Sequence, residues 1–101
     1  MIVNEQNTKV SVVMCTYNGG NFIKDQLNSI INQTYPVFEI IIQDDCSTDN
    51  TWDIIQEYAN NYPDLIHAYR NEINLGPHKN FKSAFKRAKG NYIAPSDQDD
   101  I

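Results

Sequence analysis

Three short clusters hold the side chains best suited to chemistry: Thr16-Tyr17-Asn18, Asp44-Asp45, and Asp97-Gln98-Asp99-Asp100. Asp97-Gln98-Asp99 is an oxygen-donor arrangement suited to Mn²⁺ or Mg²⁺, which take one or two carboxylates and complete their shells with water and substrate phosphates. A DxD in an arbitrary protein is more often a solvated acidic turn or a helix cap. Asp44-Asp45 reads as an N-cap pair for a following helix, a role for which Asp49 competes. Two adjacent carboxylates exceed what capping needs, and one of them, ionised, could accept a ring N–H of a nucleobase. Tyr17 could stack on such a base or pack against the next helix. His67 falls in a strand-like run and reads as a core or edge histidine. His78 opens a helical pattern, could meet a phosphate, and reads more readily as a surface residue. Lys79, near the start of the same pattern, is the basic residue that stands out as a candidate. No GxGxxG, GxxxxGK[ST] or GxSxG occurs, which removes the main support for dinucleotide, P-loop and serine-hydrolase chemistry.

The elements that must position these residues follow from apolar spacing. Lys9 to Thr16 is an apolar, β-branched run ended by Tyr17-Asn18-Gly19-Gly20, a turn cluster, and reads as a buried strand. From Asn21 to about Gln33, Phe22, Ile23, Leu27, Ile30 and Ile31 recur at helical spacing, and Pro36 forbids continuation. Phe38 to Gln43 predicts a second strand, and Trp52, Ile55, Ala59 and Tyr62 mark a second helix closed by Pro63. Leu65 to Tyr69 predicts a third strand. Pro77 suits a first helical turn, Phe81, Ala84, Phe85 and Ala88 its inner face, and Gly90 its C-terminal cap. Asn91 to Ala94 predicts a fourth strand. The fold class is therefore α/β: a Rossmann-like βαβαβαβ parallel sheet with helices on both faces. In such sheets ligands bind beyond the carboxyl ends of the strands where the strand order reverses. All three clusters lie at those ends, which gives the DxD a position an arbitrary acidic turn lacks. Six acidic residues, Asp44, Asp45, Asp49, Asp97, Asp99 and Asp100, gather at that rim. Their mutual repulsion calls for a cation or hydrogen-bond donors.

Composition bounds the rest. The chain has 101 residues, 41% hydrophobic and 21% charged, with a net charge of -5. This length suits one domain, residues 1–101, with an apolar core and no need of staples. Cys15 and Cys46 have neither CxxC spacing nor nearby histidines, and read as reduced thiols. The acidic balance argues against nucleic acid as a partner. Five of the 8 basic residues, Lys79, Lys82, Lys86, Arg87 and Lys89, fall on the third helix, a solvated face well matched to its dipole at the C-terminal end. Apolar runs are too short to span a membrane, and the first residues lack the pattern of a secretory signal, so a soluble, cytoplasmic protein is expected.

The segments VSVVMCTYNGGNFIKDQLNSIINQTY, FEIIIQDDCSTDNTWDII, NEINLGPHKNF and AKGNYIAPSDQDD resemble, in that order, the amino-terminal half of a family 2 glycosyltransferase of the GT-A fold. The likeness runs from about Val10 to Ile101. It implies transfer of a sugar, with inversion, from a nucleotide diphosphate sugar to a saccharide or lipid-linked acceptor, assisted by Mn²⁺ or Mg²⁺. It implies that Cys15, Thr16 and Tyr17 meet the base, that Asn18 beside them belongs to the nucleotide-binding set, and that Asp45 bonds the base. Asp97 would hold ribose and, with Asp99, the metal. Asn74, Gly76 and Lys79 fall in the segment that passes near base and phosphates. The family's catalytic carboxylate base is expected beyond Ile101. The chain is thus read as the donor-nucleotide half, weakly active or inactive alone, peripheral to the inner membrane face in full-length form, and prone to dimerise through an exposed sheet edge. Two rival readings are a non-catalytic nucleotide-binding or interaction module and a phosphoacceptor receiver domain. The receiver needs an acidic pair after the first strand, where Thr16-Tyr17-Asn18 stands.

Overall fold

The structure, a computed structural model, describes residues 8–33 and 36–97. Its elements run β1 (Val10–Thr16), α1 (Ile23–Asn32), β2 (Glu39–Asp44), α2 (Thr51–Asn61), β3 (Ile66–Arg70), α3 (Pro77–Arg87) and β4 (Tyr92–Asp97). The four strands form one parallel sheet in the order β3-β2-β1-β4. The chain steps outward from β1 to β3, then crosses back to lay β4 on the other side of β1. The reversal at β1 is the switch point at which a ligand cleft is expected.

The central strands β1 and β2 are buried on both faces, which is why they read as nearly continuous apolar runs rather than alternating ones, while β3 and β4 are only partly covered. On one face Val10, Val12 and Met14 of β1, Ile40 and Ile42 of β2 and Ile66 of β3 pack against Ile23, Leu27 and Ile30 of α1 and Ile54 and Ile55 of α2. On the other, Val13 and Ile41 meet Ala84 of α3, with Cys15, Tyr69, Ala88 and Ile93 at the margin. Helices thus cover both faces, as the alternation of elements predicts. Among the described residues no helix is long and apolar enough to cross a membrane.

The inner face of α3 differs from the sequence expectation more than that of α2. In α2 Ile55 is buried and Trp52 and Ala59 pack against the core as expected, Thr51 and Ile54 join them, and Tyr62 is exposed beyond the helix end. In α3 the buried stripe is Asn80 and Ala84, whereas Phe81 and Phe85 are exposed and lie against each other with ring centroids 6.1 Å apart. The sheet beneath α3 offers polar partners, so an amide rather than a phenyl ring fits there. Gly90 is not the cap of α3, which ends at Ala88. It sits where the chain passes under β1, and a Cβ there would lie 2.4 Å from the Lys9 carbonyl oxygen. β4 runs on through Pro95 to Asp97, three residues past the expected end. Among the described residues it is an edge strand, and such a strand tolerates a proline.

Candidate functional site at the carboxyl ends of the strands

A pocket of about 630 Å³ opens at the switch point, lined by Cys15, Thr16, Tyr17, Asp45, Cys46, Thr48, Asn74, Gly76, Pro77 and Asn80. β1 supplies its floor. Tyr17, half exposed, stands at its mouth.

The two adjacent aspartates have separate tasks. Asp44 is fully buried and accepts hydrogen bonds from the Thr16 hydroxyl (2.7 Å), the Ser47 N–H (2.9 Å) and the Ser47 hydroxyl (2.6 Å), with Arg70 Nε 3.7 Å from its Oδ2. It ties the end of β1 to the loop after β2. Asp45 faces the pocket, and its carboxylate holds the loop between β3 and α3. Oδ1 accepts from Leu75 N–H (2.7 Å) and Asn71 Nδ2 (2.9 Å), and Oδ2 from Gly76 N–H (2.9 Å). A carboxylate has about four acceptor positions, so these three donors leave one open.

The rim is thus compensated in part by hydrogen-bond donors. Asp49 accepts from Thr51 N–H and the Thr51 hydroxyl, and from Gly20 N–H. Burial pushes its pKa up, but the Thr51 and backbone hydrogen bonds outweigh this and hold it below the ordinary value. Its carboxylate satisfies the N–H of Thr51, the first residue of α2, from one position before the N-cap residue Asn50. Asn18 has φ 51 and is not among the lining residues. Its Oδ1 accepts from Thr48 N–H (2.8 Å) and Asp49 N–H (3.3 Å), while its own N–H donates to Ser47 Oγ (2.9 Å). Asn18 clasps the two loops that shape the cleft.

With this geometry in view, the chain can be set beside known proteins. The family described as Glycosyl transferase family 2 matches residues 11–101. The chain belongs to this family. It is 42% identical over 91 residues to TuaG of Bacillus subtilis, a protein named as a teichuronic acid biosynthesis glycosyltransferase, covering 90% of this chain and 36% of that one. The crystal structure of Staphylococcus aureus TarS 1-349 in complex with UDP-GlcNAc superposes with a TM-score of 0.80 at 38% identity, over 90% of this chain and 26% of that chain. A Pyrobaculum calidifontis mannosyltransferase in complex with GDP-Man and Mn²⁺ superposes at 0.83 with 27% identity, over 92% and 28%. The chain thus spans about a third of TuaG and about a quarter of the superposed structures. The fold is that of GT-A glycosyltransferases.

Of the residues singled out in the sequence, Cys15, Thr16, Tyr17 and Asp45 come together in the pocket, joined by Asn74 and Gly76. Lys79 is exposed on the first turn of α3 and is not among the lining residues. Asp97 ends β4, in register with Cys15 of β1, so the backbone carries this first residue of the DxD to the same rim. Asp99 lies outside the described residues. Among the described residues no group of three or more His, Cys, Asp or Glu is placed to hold a metal ion. A donor set limited to the DxD carboxylates suits Mn²⁺ or Mg²⁺, whose remaining ligands come from water and a diphosphate.

Sequence reasoning missed Asn71 and Asn80. Asn71 Nδ2 bonds Asp45 and Asn80 Oδ1 (2.8 Å), and Asn80 Nδ2 donates to the Gln43 carbonyl (3.0 Å). Asn80 precedes Ala84 by four positions, the spacing of one helix face, and that polar member of a buried stripe was the available signal.

Proposed function

We propose that this chain forms the donor site of a metal-dependent, inverting glycosyltransferase that moves a hexosyl-type sugar from a nucleotide diphosphate to a saccharide or lipid-linked acceptor. The observation that carries this reading is the pocket at the switch point, where Asp45 keeps one acceptor position for a base N–H beside an aromatic ring, Tyr17. TarS in complex with UDP-GlcNAc and the mannosyltransferase in complex with GDP-Man and Mn²⁺ support a nucleotide sugar as donor and a divalent cation as partner. TuaG and TarS, the latter named as a poly(ribitol-phosphate) N-acetylglucosaminyltransferase, support a cell-surface polymer as the product class.

In this reading Cys15 and Thr16 form the floor beneath the base, Tyr17 stacks on it, and Asp45 accepts its ring N–H. Asn18 keeps the cleft open by holding its two loops together. Asp97 and Asp99 would hold Mn²⁺ or Mg²⁺, which when bound stabilises the negative charge of a leaving diphosphate. Lys79 is placed to meet phosphate from the start of α3. No residue of this chain is assigned as the base that deprotonates the acceptor. A cytoplasmic site of action, at the inner face of the membrane, is part of this reading.

Titration calorimetry with UDP and GDP, with Mn²⁺ or after chelation, tests the reading. Binding is expected with metal and at least about tenfold weaker without it, because the acidic rim then faces a diphosphate of like charge. Equal affinity after chelation would count against a metal bridge.

A further inference from the structure

Asp45 is held by a hydrogen-bond chain that starts on the far side of α3. Arg87 Nε donates to Gln43 Oε1 (3.1 Å), Gln43 Nε2 donates to Asn71 Oδ1 (2.8 Å), and Asn71 Nδ2 donates to Asp45 Oδ1 (2.9 Å). Each amide in such a chain could in principle be turned end for end, which would reverse its polarity. The two ends forbid it. A guanidinium can only donate, so Gln43 must present its oxygen to Arg87 and its NH₂ to Asn71. Asn71 must then answer with oxygen on that side and NH₂ on the other, where an ionised carboxylate can only accept. Asn80 closes the argument independently. Its NH₂ faces the Gln43 carbonyl, an acceptor alone, so its oxygen faces Asn71 Nδ2. Arg87 is itself fixed, with its guanidinium 3.8 Å over the Tyr69 ring.

We infer that Asn71 is a positioning residue for base recognition, the hub through which α3 and β2 set the orientation of the Asp45 carboxylate. This rests on the donor-site reading above. The other two donors to the Asp45 carboxylate, Leu75 and Gly76, are backbone N–H groups of the loop that Asp45 itself holds. Asn71 is anchored from the sheet side as well, by Gln43 and by its own N–H on the Asp44 carbonyl (2.9 Å). It therefore decides where the remaining acceptor position of Asp45 points. A base with a ring N–H at that place, as in uracil, is accepted. Cytosine offers a ring acceptor there instead, and a carboxylate facing an acceptor is repelled.

The test is the ratio of UDP to CDP affinity, measured with Mn²⁺ by calorimetry on the 101-residue chain. Asn71→Ala is expected to weaken UDP about tenfold and CDP little, so that the ratio falls about tenfold. General loosening of the fold would weaken both nucleotides together and leave the ratio alone. Arg87→Ala, at the exposed end of the chain, is expected to lower the ratio about threefold with little change in Tm. Lys82→Ala, on the solvent side of α3, should change neither. A ratio unchanged in whichever of the Asn71 and Arg87 variants folds overturns the inference. A wild-type protein that binds neither nucleotide with metal overturns the donor-site reading itself, whereas binding without discrimination between UDP and CDP overturns only the role given to Asn71.

Discussion

The three aspartates Asp44, Asp45 and Asp49 differ by what donates to them, and their substitutions should differ accordingly. Asp44→Ala would leave the Thr16 hydroxyl and the Ser47 N–H and hydroxyl without their buried acceptor, so a loss of about 3 kcal/mol or more is expected in urea denaturation. Asp49→Ala removes an exposed cap and should cost about 1 kcal/mol. Asp49 also gives a pH signature. Its folded pKa is lowered from the ordinary 3.8, so its stabilisation is present above that value and lost as pH falls through the lower folded one. The stability gap between wild type and Asp49→Ala should therefore close on acidification below 3.8. Asp99→Ala should do the converse, weakening Mn²⁺-dependent UDP binding while leaving the urea midpoint in place. If the two substitutions traded effects, the division of the rim into caps and ligands would be wrong. The sequence identified these residues as a cluster. It could not apportion them, because Asp44 and Asp45 are neighbours with opposite faces in a strand end, and only the donors around each distinguish them.

At the scale of elements, the strands and helices were legible because apolar runs and turn residues mark them, and the helix faces were less so. In α3 the pattern of Phe81, Ala84, Phe85 and Ala88 fits a helical stripe as well as Asn80 and Ala84 do. What decides is the surface underneath. The carbonyl of Gln43 and the side chain of Asn71 meet Asn80, and a one-position rotation follows. The entrance to α3 depends on Gly76, whose φ 88 and ψ 158 lie in a region open to glycine almost alone. Nothing lies within 4 Å of where a Cβ would stand, so the obstacle to a side chain is the backbone and not a neighbour. Gly76→Ala is thus expected to cost about 1–3 kcal/mol, read as a lowered Tm. Because the Gly76 N–H bonds Asp45, UDP affinity should fall as well. An alanine variant with unchanged Tm and affinity would show that the loop can hold Asp45 in another conformation.

At the scale of the whole molecule, the described sheet is unequally covered. At one edge β3, paired only with β2 among the described residues, carries mixed polar and charged residues, His67 and Arg70 among them. On the other side β4 has a neighbour only in β1 among the described residues. Between β4 and α1 runs a groove of about 540 Å³, walled by Val10, Val12, Ile30, Tyr92, Ala94 and Pro95, and the Tyr92 side is 61% exposed. Pro95 contributes no N–H, which blunts strand-to-strand pairing along this edge. The apolar groove remains, and burying such a surface against a second copy removes it from water without a new strand pair. The net charge of -5 opposes close approach, so the effect should grow with salt as repulsion is screened. We therefore expect a two-fold dimer whose contact includes Tyr92, favoured at high protein concentration and high ionic strength. Sedimentation velocity over a concentration series at low and high salt checks this, with Tyr92→Lys as the disrupting variant. A wild-type chain that stays monomeric under all these conditions would mean that the groove is closed within one copy. A dimer indifferent to Tyr92→Lys would place the contact elsewhere, and the unequal covering of the sheet would then have no part in it.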